Sequence, residues 1–135
     1  MREDTILIID DEPMIRHLAA RILDRAGFRT IGAANGVQGL ACFRRERPAL
    51  VVTDLIMPER EGIETIRYIR RDSANVPIIA ISGGTLTGTA DFLAMARELG
   101  ATAILRKPFE PLELLLLVER CLGSVPARSG ADLAD

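Results

Sequence analysis

Five short runs of aliphatic and β-branched residues, at 5–9, 29–33, 50–53, 76–81 and 103–105, alternate with five stretches whose apolar residues recur at helical spacing. That alternation constrains the fold more than any other feature, because a strand, a helix and a second strand form a βα unit whose strands lie parallel in one sheet. The helical stretches cover about 13–26, 37–46, 62–71, 90–99 and 111–122. Pro13 suits a first helical turn, while Gly27, Gly100 and Gly123 stand where helices stop. There is no internal repeat. The pattern predicts an α/β fold, a (βα)5 doubly wound parallel sheet with right-handed crossovers placing helices on both faces.

The expected strand order is the flavodoxin-like 2-1-3-4-5, in which ligands bind beyond the carboxyl ends of the strands at the switch point between strands one and three. The first run leads into Asp10 and Asp11, the third into Asp54, the fourth into Ser82, and the fifth past Arg106 into Lys107. Lys107 is the only lysine, against sixteen arginines. Three acids, a hydroxyl and an ammonium converging on one rim suit a divalent cation together with a phosphoryl group. Three neighbouring carboxylates raise one another's pKa unless a cation compensates them. Glu12, just before the first helix, reads as a cap that favours the helix dipole. Gly83 and Gly84 are expected to let the backbone after Ser82 approach an anion. They form no phosphate-binding loop, since neither GxxxxGK nor GxGxxG follows a strand.

With 135 residues, 48% of them apolar, the chain suits one well-buried domain, expected over 1–123 with a fraying, small-residue tail at 124–135. A net charge of -2 gives no general attraction to nucleic acid or to anionic membrane, and the few aromatics offer no base-stacking platform. No apolar stretch approaches a membrane span, and the charged start is not a secretory signal. Cys42 and Cys121 lack metal-ligand spacing and read as buried, reduced thiols, so a soluble cytoplasmic protein is expected. His17 lies mid-helix and takes no chemical role. Arg44, Arg45 and Arg47 read as a solvated helix end, and Arg70 and Arg71 read the same way.

Four motifs in order, Ile-Ile-Asp-Asp-Glu-Pro, Val-Val-Thr-Asp-Leu-Ile-Met-Pro, Ala-Ile-Ser-Gly-Gly and Leu-Arg-Lys-Pro-Phe, make the chain resemble the receiver domain of bacterial response regulators over about residues 4–123. The resemblance implies that Asp54 is the phosphoacceptor and that Asp10, Asp11, Asp54 and the backbone carbonyl of Ile56 hold Mg2+. It implies too that Ser82 and Lys107 contact the phosphoryl oxygens. The phosphodonor would be a histidine kinase or a phosphotransfer protein, and output would pass to an unidentified downstream protein.

Two departures from that family bear on signalling. Many receivers carry Tyr or Phe three residues before the lysine, where this chain has Ile104, so an aromatic rotamer switch cannot operate. The segment between Ser82 and Lys107 is longer than in many relatives, and 85–89 supplies small residues for an ordering switch. Residues 114–118 are consecutively apolar and travel more than one helical turn, so part of the last helix should stay exposed. Such a stripe suits docking or a homodimer through the face of the fourth helix, fifth strand and fifth helix. Besides a phosphorylation switch, two functional classes remain. A phosphorylation-independent pseudo-receiver would have no use for the acid, hydroxyl and lysine set. An aspartate-nucleophile phosphatase of the haloacid-dehalogenase kind would need an acid two residues after Asp54, where Ile56 stands.

Overall fold

The computed structural model describes residues 4–55, 61–83, 94 and 98–123. Its elements are β1 (Thr5–Ile9), α1 (Pro13–Arg25), β2 (Arg29–Ala33), α2 (Gly36–Glu46), β3 (Leu50–Asp54), α3 (Glu61–Asp72), β4 (Ile78–Ser82), β5 (Ala103–Arg106) and α4 (Pro111–Cys121). The five strands are parallel in the order β2-β1-β3-β4-β5, as the alternation predicts. Of the stretch expected as a helix at 90–99, the described residues 94, 98 and 99 are helical. The expected switching segment 85–89 and the tail 124–135 lie outside the described residues.

The strands read as continuous apolar runs because both sheet faces are covered. Leu7, Ile9, Val51, Ile78 and Ala80 point to one side, where α2 and α3 supply Phe43, Ile66 and Ile69. Ile6, Ile8, Leu50, Val52, Ile79, Ile81 and Leu105 point to the other, against Ala19 and Leu23 of α1 and Leu114 and Val118 of α4. Burying each of these Leu or Ile side chains contributes about 1.5–3 kcal/mol, so the alternation along every strand pins its register.

Local chemistry fixes the element ends. The Asn35 side chain accepts from the Gln38 amide at 2.9 Å, starting α2 one residue before the sequence reading. Ending α2, Arg47 adopts a left-handed conformation with φ 49°. Strand β4 begins at Ile78 rather than 76, because the Val76 amide turns to the Ser73 hydroxyl at 3.2 Å. At their far ends β3 and β4 run one residue longer than expected and take in Asp54 and Ser82. Asp54 pairs with Ile81 and Ser82 with Arg106, so ladder bonding holds the backbone of both residues.

Arg44, Arg45, Arg47 and Arg71 are exposed as solvated helix ends, while Arg44 adds a cross-helix ion pair and Arg70 is drawn inward. Arg44 reaches from α2 to Asp72 of α3 at 2.7 Å. Arg70 is partly buried and donates to the carbonyls of Val76 at 2.6 Å and Gly100 at 2.8 Å, tying the end of α3 to the approaches of β4 and β5. Cys42 and Cys121 are free and half-buried rather than fully buried.

Candidate functional site

The parallel sheet carries the chemistry-bearing residues to the carboxyl edges of β1, β3, β4 and β5. Asp10 follows β1 and is held by its amide to the Ala33 carbonyl at 3.1 Å, continuing the β1–β2 ladder. Ile9 pairs with Thr53, which puts Asp54 beside Asp10 across the switch point. Asp10, Asp54 and Ser82 are buried, whereas Asp11 faces solvent. Carboxylate oxygens of Asp10, Asp11 and Asp54 all lie within 4.8 Å of one another.

Lys107 enters from β5. Its amide bonds the Ser82 carbonyl at 2.8 Å, so the chain leaves β5 alongside the end of β4, and the Lys107–Pro108 peptide is cis. The Lys107 ammonium lies 3.1 Å from Glu12 Oε1, 3.3 Å from Asp54 Oδ2 and 3.4 Å from Asp10 Oδ2. Burial alone pulls its pKa down. The Glu12 hydrogen bond and the charges of Asp54 and Asp10 outweigh that and hold it above the ordinary lysine value.

Asp10 is the most constrained acid. Its Oδ1 accepts the Glu12 amide at 2.9 Å, and its carbonyl accepts from Arg16 Nη1 at 2.7 Å. Among the described residues its Oδ2 accepts no hydrogen bond, although the Lys107 ammonium lies 3.4 Å away. Burial raises the Asp10 pKa, with the Glu12 amide and Lys107 pulling the other way. A buried carboxylate oxygen with open lone pairs, beside two more carboxylates, matches the hard oxygen ligands that Mg2+ takes. Among the described residues the buried Ser82 hydroxyl likewise has no hydrogen-bond partner, and such a group suits a ligand's oxygen.

The structure thus brings together five residues singled out from the sequence, Asp10, Asp11, Asp54, Ser82 and Lys107; Ile56 lies outside the described residues. It differs at Glu12. Glu12 sits at the N-cap of α1, but its side chain makes no cap bond and goes to Lys107 instead. Either bond would be charge-assisted, and the one to Lys107 joins two full opposite charges. A Cβ built at Gly83 would meet no atom of the described chain within 4 Å.

Three residues escaped sequence reasoning. Glu12 was visible only as an acid beside a cap position, and nothing local links Arg16 to the Asp10 carbonyl. Gly62, near the start of α3, lies against the site: a Cβ there would fall 2.3 Å from the Asp54 carbonyl oxygen. Beside Lys107 an open groove of about 530 Å³ is lined by Glu12, Ile15, Leu18, Gly83, Pro108 and Phe109.

Residues 6–119 match the family model of the response regulator receiver domain. The chain is 34% identical over 122 residues to sporulation initiation phosphotransferase F of Bacillus subtilis strain 168, covering 90% of this chain and 96% of that protein. It is 38% identical over 129 residues to the probable transcriptional regulator ycf27 of Porphyridium aerugineum, covering 96% of this chain and 52% of that one. This chain therefore spans about half the length of that regulator. Among solved structures, chemotaxis protein CheY4 of Vibrio cholerae is similar with a TM-score of 0.80 at 30% identity, over 89% of this chain and 99% of that one. NtrX of Brucella abortus gives a TM-score of 0.82 at 30% identity, over 91% of this chain and 28% of that one.

Proposed function

The chain belongs to the response regulator receiver domain family, and from that membership we propose that it is a phosphoacceptor switch of a two-component or phosphorelay system, phosphorylated on Asp54. The observation that carries the proposal is the meeting of three carboxylates within 4.8 Å with one ammonium, beside a buried hydroxyl that has no partner. Asp10, Asp11, Asp54 and the Ile56 carbonyl would hold Mg2+. When bound, the ion supplies positive charge that lets the acids coexist ionised and offsets charge on the transferred group.

This chain's residues then do the positioning that phosphoryl transfer requires. An Asp54 carboxylate oxygen attacks phosphorus in line, and the bond from phosphorus to the donor's histidine nitrogen breaks on the opposite side. Lys107 and Ser82 receive the equatorial oxygens. The groove past Glu12, Ile15 and Phe109 leaves room for the donor, a histidine kinase or phosphotransfer protein. The similarity to a sporulation phosphotransferase over nearly its whole length supports the phosphorelay reading.

In this reading the domain spans 1–123, works in the cytoplasm and catalyses only its own phosphorylation and dephosphorylation. No described helix is long and apolar enough to cross a membrane. Leu116, 54% exposed on α4, continues the apolar face that would meet a downstream protein or a second copy. The test is incubation with magnesium and acetyl phosphate followed by intact mass. Wild type should gain one phosphoryl group, and Asp54→Asn should gain none. Undiminished labelling of wild type in excess chelator overturns the metal-assisted assignment.

A further inference from the structure

We propose that Glu12 is a positioning residue that holds the Lys107 ammonium at the rim of the site while the aspartates engage a divalent cation, and then releases it to the arriving phosphoryl oxygen. The proposal rests on the phosphoacceptor reading above and goes beyond it, because Glu12 belongs neither to the carboxylate cluster nor to the groups that receive phosphate.

The geometry behind it is a competition for one ammonium. Lys107 has three N–H donors and three carboxylate neighbours, and the Glu12 contact, at 3.1 Å, is the shortest. Asp10 and Asp54 are also members of the cation cluster. With their lone pairs committed to a divalent ion, Asp10 and Asp54 would hold the ammonium less, so two of the three partners would weaken together. Glu12 is left. Its backbone is anchored where this matters, since its amide donates to Asp10 Oδ1 at 2.9 Å while the extended N-cap conformation, φ -91° and ψ 114°, aims the side chain outward.

The pairing is also built to exchange. The Glu12 side chain is 61% exposed, and ion pairs in water are weak enough to be displaced by a dianion held near a metal. Glu12 and phosphate would thus hold Lys107 alternately, with the stem of Lys107, 18% exposed, as the pivot.

Because Lys107 is the only lysine, protein labelled with ε-13C lysine gives one side-chain methylene resonance, which reports on this ammonium alone. With saturating magnesium, wild type should show a restricted methylene with distinct proton shifts. Glu12→Gln should show a mobile one with merged shifts. Adding beryllofluoride, a phosphoryl mimic, should bring the two spectra together, and its affinity should rise about two- to fivefold in Glu12→Gln, as expected for loss of an exposed competing ion pair. In a Lys107→Gln background, Glu12→Gln should leave mimic affinity unchanged.

An identical methylene resonance in wild type and Glu12→Gln with magnesium overturns the proposal. So does an equal affinity gain in the Lys107→Gln background, which would mean that Glu12 merely repels the anion. If wild type binds no mimic and takes no phosphoryl group from acetyl phosphate, the phosphoacceptor reading and the exchange fall together. The magnesium-only spectra still decide separately whether Glu12 positions Lys107.

Discussion

Replacing Gly62 with alanine should damage the fold and the site together. A Cβ at this position would lie 2.3 Å from the Asp54 carbonyl oxygen, 2.5 Å from that of Leu55 and 2.8 Å from the Leu55 carbonyl carbon. All three are backbone atoms, which no rotamer change can move aside, and ordinary contact begins near 3.4 Å. Relief therefore needs a relative shift of α3 and the end of β3 of about 1 Å, and overpacking of this kind costs about 1–3 kcal/mol. Alanine's better helix propensity returns only about 0.8–1 kcal/mol. With three backbone atoms met, the upper part of that range, about 2–3 kcal/mol, applies, so the net loss is about 1–2 kcal/mol, or about 3–7 °C in Tm for a domain of this size. Because the displaced carbonyl belongs to Asp54, the magnesium midpoint should weaken in the same variant. Thermal unfolding by circular dichroism and a magnesium titration measure both. An unchanged or raised Tm with wild-type magnesium affinity would refute the steric argument.

Other substitutions separate the remaining roles. Asp10→Asn should stabilise the metal-free protein at neutral pH, since burial raises the Asp10 pKa: a carboxyl raised in the fold adds stability below its ordinary value of 3.8 and loses it as pH climbs through the raised value. The advantage of Asp10→Asn over wild type in urea unfolding with chelator should accordingly shrink as pH falls, and growth of the gap toward acid would contradict it. Lys107→Arg should keep magnesium binding but blunt the response to phosphate, because charge is conserved while reach and shape are not; a full phosphorylation-dependent change in partner affinity would count against it. Gly83→Ala should leave Tm within about 0.5 kcal/mol-equivalent of wild type, as its Cβ meets open space.

How much was legible follows from the range of each contact. The strand ends were readable because a parallel sheet turns sequence order into position: once five apolar runs are assigned, Asp10, Asp54, Ser82 and Lys107 have only one rim to occupy. Boundaries slipped by a residue or two where a side chain, such as Asn35 or Ser73, captured a backbone amide. Arg70 was misread, and the Arg44–Asp72 pair missed, because Gly100 and Asp72 lie about thirty residues from these arginines, where local helix-end statistics carry no information. Glu12 is the sharpest case. Local rules favour a cap, and only the fold brings Lys107, 95 residues on, within 3.1 Å.

Ile104 shows the opposite limit, a residue whose meaning the sequence carried and the structure sharpens. It pairs with Ala80 and is partly buried against the α2 and α3 side of the sheet, while Leu105 belongs to the other face. A β-branched side chain in a strand has a restricted χ1, so it has neither the ring nor the rotamer freedom to travel between inward and outward positions. If Ser82 moves toward a phosphoryl group as proposed above, that movement would be transmitted along the chain it belongs to. Ser82 ends β4, its carbonyl holds the Lys107 amide, and Gly83 beyond it has open space around its Cα. On the phosphoacceptor reading proposed above, the mechanical route would run from Ser82 into the chain that follows it and through the backbone pairing into β5. Hydrogen exchange with and without beryllofluoride should show protection gained at 83–90 and carried to α4. A change confined to α1 would mean that the signal leaves through Glu12 and Arg16 instead.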